Sequence, residues 1–393
     1  MPVSLRRFVY ATAAITESLN TVGGNIGRLS SISTLGSVAG TMLIGYVLIP
    51  HLSNSVIMYG TAVILMLTGA VYFLAFDGRD KRLVAAGVVL IAGAGAADYA
   101  AARQVRPRRC TSLYQANSNF GELQVLDDPS NMSRYFLNDF LVQNTYDTVE
   151  RKSRSAFSYV LHDLAWAYAP GIGRALCIGM GMGIVPGRLA GEGVSVDVVE
   201  INPALPAMAR NYFDCDTDRF NLVIGDGRCY INRAAADTYD VVVLDAFLGD
   251  SIPSHLFSSE AFASIKRILK PEGVLLINSF GSFAEGRDFA MASLEQTLRD
   301  GAGFRSVKVH ACGDGNVFFV ASGQAQLKIL RWPDFEDVSP VCRSRVEELF
   351  SNLHPTDASH GMILRDDFNP LEYQDAAKRE ATRRRLAQSM QNY

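Results

Sequence analysis

The chain lacks any CxxC pair and any grouping of cysteine with histidine at metal-ligand spacing. Cys110, Cys177, Cys215, Cys229, Cys312 and Cys342 are instead scattered through 393 residues. That pattern excludes the usual zinc sites and gives no disulfide framework, so no metal is expected and the thiols read as reduced, in a cytoplasmic domain. An excess of one charge is lacking too. Lys and Arg number 37 against 40 Asp and Glu, a formal net charge of −3. Without a basic surplus there is no bulk electrostatic attraction to nucleic acid, and no nucleic-acid partner is expected. Charge of either sign is sparse in the first hundred residues, although the hydrophobic share of 48% is ordinary. A cleavable signal peptide is not expected, because no compact apolar run with a small-residue cleavage site follows Arg6 and Arg7.

What is present begins with those uncharged runs. Val56 to Phe76 is 21 residues without a charge, and crossing a hydrocarbon core takes roughly 20 apolar residues. Leu29 to Ile49 is also uncharged, and its Gly36 to Gly40 step gives a face of small residues that lets another helix approach. Leu83 to Ala97 is shorter, and Phe8 to Ile26 contains Glu17, Asn20 and Asn25. With three spans and the C-terminus in the cytoplasm, six Lys and Arg beside the spans fall outside and four inside, against the positive-inside rule. If Phe8 to Ile26 also crosses, the count becomes six inside and four outside, which favours four spans. The expectation is an integral membrane protein of the cell inner membrane with its soluble part facing the cytoplasm. The basic tail, with Lys378, Arg379, Arg383, Arg384 and Arg385, suits a solvated helix or contact with anionic lipid headgroups.

After the basic segment Arg103 to Arg109 the pattern changes. Leu113 to Leu126 and Arg134 to Val142 alternate in a way that suits a small antiparallel sheet, and Ser155 to Tyr168 reads as an amphipathic helix stopped at Pro170-Gly171. From Arg174 strands and helices alternate. Ala175 to Ile178 enters Gly179-Met180-Gly181-Met182-Gly183, where glycines at alternate positions let the backbone approach a ligand. Val194 to Val199 ends in Glu200, 17 residues after Gly183, where an acid accepts from both ribose hydroxyls. Asn221 to Ile224 runs into Gly225-Asp226-Gly227, with Asp226 placed to accept from an adenine amino group, and Tyr239 to Leu244 ends in Asp245. Parallel strands put their carboxyl ends on one edge, so three acids at successive tips converge there. Glu272 to Asn278, Ser306 to His310 and Val317 to Ala321 supply strands five to seven, the last two as a hairpin around Gly313-Asp314-Gly315. The expected fold is α/β: a Rossmann-like, S-adenosylmethionine-dependent methyltransferase-type domain with a small N-terminal β domain, preceded by a transmembrane helical region. A NAD-type Rossmann domain is the nearest rival.

The runs IGMGMG, VVEINP, GDGRCYI, YDVVVLDAFLGDSIPSHLFSSEAF and LRDDFNPLE resemble the spermidine synthase family, in particular its membrane-attached, spermidine-synthase-like branch. The likeness covers about Leu113 to Glu372, and the spans beginning GRLSSISTLGSVAGT share it. It implies that Glu200 binds ribose, Asp226 binds adenine and Gln143 lies over the nucleoside, with Gly179, Gly181, Gly183, Ile201 and Gly227 completing that site. It makes Asp245 the general base for an attacking amine, since a protonated amine is no nucleophile. The departures fall on the polyamine half. Met182 stands where the family's glycine loop carries an Asp. The second acid of the family's Asp-x-x-Asp-Pro is displaced to Asp250, and Phe157-Ser158-Tyr159 replaces a Tyr-His-Glu stretch. Tyr159, Asp250, His255, Asp366 and Asp367 are the candidates for rebuilding an acceptor site.

The resulting organisation is a membrane region over residues 1–104, a small β domain over 105–155, the nucleoside-binding domain over 156–330 and a C-terminal segment over 331–393. The expected activity is transfer of an aminopropyl group from decarboxylated S-adenosylmethionine to a small-molecule amine, with release of methylthioadenosine. Two alternatives stand beside it: an enzyme acting on S-adenosylmethionine itself, by methyl transfer or intramolecular cleavage, and a non-catalytic nucleoside-binding membrane protein. Membrane lipid is an expected partner, and the resemblance implies a homodimer.

Overall fold

The computed structural model describes residues 22–52, 54–76, 87, 92–93, 95, 110–139, 141–247, 252–284, 287–313, 315–355 and 357–371. The expected spans at Phe8 to Ile26 and Leu83 to Ala97 lie wholly or largely outside these residues, as do Asp250, Asp314 and the basic tail. The chain forms two units, one of N-terminal helices and one holding both sheets.

In the first unit, α1 runs 30 residues from Val22–His51, with a mean hydropathy of 1.8 over its most apolar window. Among the described residues it is the one helix long and apolar enough, by length and composition, to cross a membrane. It contains the uncharged Leu29 to Ile49 run, and its Ser and Thr hydroxyls fold back onto carbonyls four residues earlier, as Thr34 does on Ser30 at 3.0 Å. That back-bonding lets polar side chains ride on an apolar helix. The run from Val56 to Phe76 lies in α2, Asn54–Phe76.

The second unit begins with a five-stranded antiparallel sheet of β1 (Thr111–Ser118), β2 (Gly121–Asp128), β3 (Ser133–Asn138), β4 (Leu141–Asp147) and β5 (Lys152–Ser153), in that order. Polar contacts fasten this sheet to the segment around Phe213: Arg134 donates from Nη1 to the Tyr212 carbonyl at 2.7 Å, and Tyr146 donates its hydroxyl to Asp214. Next along the chain comes α3, Ala156–Tyr168, whose buried residues run from Ser158 almost without a break to Tyr168. It ends at Tyr168, two residues before Pro170, which cannot continue the helical hydrogen bonding.

The larger sheet is built from β6 (Arg174–Ile178), β7 (Ser195–Glu200), β8 (Asn221–Ile224), β9 (Tyr239–Leu244), β10 (Leu269–Gly281), β11 (Ser306–Ala311) and β12 (Gly315–Ser322), in the order β11-β12-β10-β9-β6-β7-β8. The pairs β6–β7, β7–β8, β6–β9 and β9–β10 are parallel, while β12 is antiparallel to both β10 and β11. This is the methyltransferase-type arrangement expected from the sequence, with the closing hairpin inserted beside strand five. Runs such as Val241, Val242, Val243 and Leu244 are completely buried, as strands covered on both faces must be. The connecting helices are α4 (Ile184–Gly191), α5 (Leu205–Tyr212), α6 (Gly227–Arg233), α7 (Ser259–Ile268) and α8 (Phe289–Gln296). A last helix, α9 (Arg343–Ser351), buries Val346, Leu349 and Phe350.

The topology also fixes where a ligand can sit. β6 is flanked by β7 on one side and β9 on the other, so chain direction diverges there and a crevice opens above the carboxyl ends.

Candidate functional site

The tips of the parallel strands are tied to one another by backbone hydrogen bonds. Gly179 donates to Val199, Gly225 to Glu200 and Asp245 to Ile178, at 2.9, 2.9 and 3.0 Å. The residue following each strand therefore sits at a fixed height above its neighbour. Over this edge opens a cavity of about 850 Å³, within the roughly 300–1,000 Å³ of small-molecule sites. The sheet edge and its loops form the floor. β3 and β4 of the small sheet, the start of α3, and residues of α9 and the C-terminal segment contribute walls.

The glycine loop reaches the cavity at Gly179, Met180, Gly181 and Met182. Gly179, Gly181 and Gly183 have φ of +92°, +51° and +74°, a region that side chains with a Cβ disfavour. Space is as strict as conformation at two of them. A Cβ on Gly179 would stand 2.1 Å from the Asp245 carbonyl oxygen, and one on Gly183 would stand 2.2 Å from Cys215 Sγ. Gly179→Ala is therefore expected to cost about 2–5 kcal/mol, combining a forced positive φ with overpacking. Chemical denaturation checks it, and a change below about 0.5 kcal/mol, the level of an ordinary surface substitution, would contradict the geometry.

Glu200 is 5% exposed and holds this loop: one carboxylate oxygen accepts from the Met180 amide at 2.9 Å, the other from the Asn202 amide at 2.8 Å. Burial raises its pKa, and the amides of Asn202, Met180 and Ile201 work against that rise. An oxygen holding one amide retains acceptor capacity, so the carboxylate can take a diol from the cavity side. Asp226 caps α6, with Oδ1 accepting from the Cys229 amide at 2.8 Å, while Oδ2 lies 3.0 Å from His255 Nε2. Asp245, directly after β9, is half-buried and lines the cavity. Burial pushes its pKa up to about 6, and a hydrogen bond from Asn278 pulls in the other direction. That bond, from Nδ2 to Oδ1, is 2.8 Å long.

Of the residues singled out from sequence, Gly179, Gly181, Glu200, Ile201, Asp226, Gly227, Gln143, Asp245 and His255 all line this one cavity, whereas Gly183 is not on its wall although its neighbours Met182 and Ile184 are. Three others are not brought to its wall. Tyr159 is 2% exposed and donates its hydroxyl to the Ser153 carbonyl at 2.9 Å, with Arg188 stacked over its ring. The α3 residues that do reach the cavity are Ala156, Phe157 and Ser158. Asp366 is held by Arg228 at 2.7 Å and by the Ser258 hydroxyl. Burial opposes its ionisation, but these two partners keep its pKa below the ordinary carboxylate range. Asp367 is exposed outside the cavity. The C-terminal acids thus add no carboxylate to this cavity: one pairs with an arginine and the other is exposed outside the cavity lining.

Met182 is buried to 2% exposure in the hydrophobic core and brings no charge to the loop. Residues that the sequence did not announce also line the cavity: Asn278, Asn316, Arg287 and Arg345. Arg345 donates to Glu348 at 2.7 Å and to the Cys312 carbonyl at 2.8 Å. Asn278 had a usable signal, being the first polar residue after the apolar run Val274 to Ile277.

Residues 195–307, which contain Glu200, Asp226, Asp245 and Asn278, match the family model described as the spermine/spermidine synthase domain. A stretch of 135 residues is 38% identical to a polyamine aminopropyltransferase of Vibrio vulnificus, covering 33% of this chain and 45% of that protein. Another of 114 residues is 34% identical to an N-terminal histidine N-methyltransferase of Emericella nidulans, covering 28% of this chain and 20% of that one. The chain thus spans less than half the length of either of these curated relatives. Among solved structures, a probable spermidine synthase from Corynebacterium glutamicum aligns with a TM-score of 0.49 at 17% identity, over 65% of this chain and 95% of that one. The matched region places its acids on one sheet edge, and residues outside the match supply other parts of the cavity wall.

Proposed function

We propose that this chain transfers an aminopropyl group from decarboxylated S-adenosylmethionine to a small-molecule amine, releasing methylthioadenosine. Asp245 carries the reading: a carboxyl at a strand tip, in the same cavity as Glu200 and the glycine loop, with burial raising its pKa to about 6. Glu200 and Asp226 suit the ribose and the adenine, and Gln143 on β4, which lines the same cavity, suits a place over the nucleoside. The amine, relieved of its proton by Asp245, attacks the propyl carbon bonded to the sulfonium sulfur. A C–N bond forms, the C–S bond breaks, and the bonding pair returns to sulfur to give a neutral thioether. No leaving-group proton is needed, so one base suffices. The length and apolarity of α1 support anchoring in a membrane, with the synthase domain on the cytoplasmic side.

A second reading has its own support. Met182 leaves the loop without the carboxylate that would hold an aminopropyl ammonium, and one relative bears the name of an N-methyltransferase. In that reading the same base serves attack on the methyl carbon of S-adenosylmethionine, and the thioether released is adenosylhomocysteine.

Incubating the purified protein with each nucleoside and a panel of amines, followed by mass spectrometry, separates the two. Methylthioadenosine with an amine lengthened by one aminopropyl unit is the expected outcome. Adenosylhomocysteine with a methylated amine would replace the first reading by the second. Because Asp245 must be ionised to accept a proton, kcat/KM is expected to rise with pH through about 6.

A further inference from the structure

Resting on the group-transfer reading, we propose that Asn278 is the positioning residue for Asp245. Asn316 in turn fixes the direction of Asn278, so that the two amides together decide which oxygen of the base meets the acceptor amine and at what pH it can take a proton.

The arrangement follows from strand register. Leu244 pairs with Ile277 across the parallel β9–β10 ladder, so the next residues, Asp245 and Asn278, stand side by side above the sheet edge. Across the antiparallel β10–β12 ladder Asn278 pairs with Phe318. Asn316 lies two residues earlier on the same face, at the diagonal position that long or polar side chains span. Asn278 is 2% exposed, so its amide has no ready exchange with water and must be satisfied by protein groups. The two ends of a primary amide are nearly equal in size, and packing alone does not choose between them. The choice is made by Asn316, whose Nδ2 donates to Asn278 Oδ1 at 2.9 Å. With its oxygen so engaged, Asn278 presents Nδ2 to Asp245 Oδ1 at 2.8 Å. Oδ1 of the base thereby already holds one donor, so Oδ2 is the less occupied oxygen for the incoming amine.

A donor on a carboxylate favours the ionised form, opposing burial. The other titratable groups on the cavity wall are Glu200, Asp226, His255, Arg287 and Arg345. Cys177 on β6 lies close enough that the Asp245 charge adds to the burial that raises its thiol pKa. Asn278 is the group the structure places directly on the base.

The test is the pH profile of kcat/KM for Asn278→Ala, Asn316→Ala and the double variant, with methylthioadenosine affinity measured alongside. Asn278→Ala is expected to move the acidic limb upward by about one pH unit, a roughly tenfold loss below the limb that recovers at higher pH. Asn316→Ala should move it the same way by less. The double variant should match Asn278→Ala alone, because Asn316 acts only through Asn278. Affinity for methylthioadenosine should stay within about twofold, a change far below one charge-assisted hydrogen bond. An equal loss at every pH with an unmoved limb, or full additivity of the two substitutions, would overturn the proposal. Asn316 is only half-buried, so Asn316→Ala carries the test if Asn278→Ala does not fold. Two further measurements distinguish the levels: no methylthioadenosine release by the unaltered protein would remove the group-transfer reading, and retained turnover in Asp245→Asn would remove the base, whereas an inactive Asp245→Asn with an unmoved limb in Asn278→Ala would remove only the positioning role.

Discussion

Asp245→Asn is expected to lower kcat at pH 7.5 by about 10²–10⁴-fold, the range associated with losing a general base. The substitution keeps the shape of the side chain and an oxygen to accept from Asn278, so affinity for the nucleoside should change by less than about threefold, well short of losing one charged hydrogen bond. Quantified product release and calorimetric titration of methylthioadenosine check the two halves. Turnover within tenfold of the unaltered protein would sink the assignment of the base.

The same substitution has a stability signature that separates chemistry from structure. Burial raises the folded-state pKa of Asp245 to about 6, above the roughly 3.9 of an unfolded Asp. The protonated carboxyl is therefore the form the fold favours. Stability from that form is fully present below the unfolded value and is lost as pH rises through the folded one. Asp245→Asn, which cannot ionise, should melt near the unaltered protein at pH 4 and above it at pH 8. A functional carboxylate held at a cost to stability gives this sign; a structural ion pair gives the opposite one.

The second large effect is expected at Glu200. Hydrogen bonds to a charged acceptor contribute about 1.5–3 kcal/mol each, and a ribose diol would make two. Glu200→Gln should weaken nucleoside binding by about 10²-fold or more on that basis. The amide also turns a donor toward the loop, where Glu200 now accepts from Met180 and Asn202. The glycine loop should loosen as well, so the melting temperature is expected to fall rather than rise. An affinity within threefold of the unaltered protein would contradict the placement of the ribose.

Much of this site was legible in the sequence because its strands announce themselves. Apolar runs closed by Glu200, Asp226 and Asp245 mark the carboxyl ends of strands two, three and four, and parallel packing brings such ends to one edge. The glycines at 179, 181 and 183 were legible for the same kind of reason, a backbone that must pass close to a ligand. What stayed hidden depends on direction and register. β10 runs from Leu269 to Gly281 rather than starting at Glu272, because Lys270-Pro271-Glu272-Gly273 reads as a turn yet forms an irregularity inside the strand, between Leu269 and Val274. The two-residue strand Lys152–Ser153 is too short to show alternation. The acids of LRDDFNPLE carry no information about where they point, and Asp366 finds Arg228 from 138 residues away. Asn278 and Asn316 meet only because β12 inserts antiparallel beside β10.

Calorimetric titration of methylthioadenosine into the unaltered protein, Asp245→Asn and Glu200→Gln tests most directly whether this cavity is a nucleoside site with the base beside it. One site per chain is predicted, with near-equal affinity in the unaltered protein and Asp245→Asn and a collapse in Glu200→Gln. Absence of binding to the unaltered protein, or undiminished binding to Glu200→Gln, would contradict it.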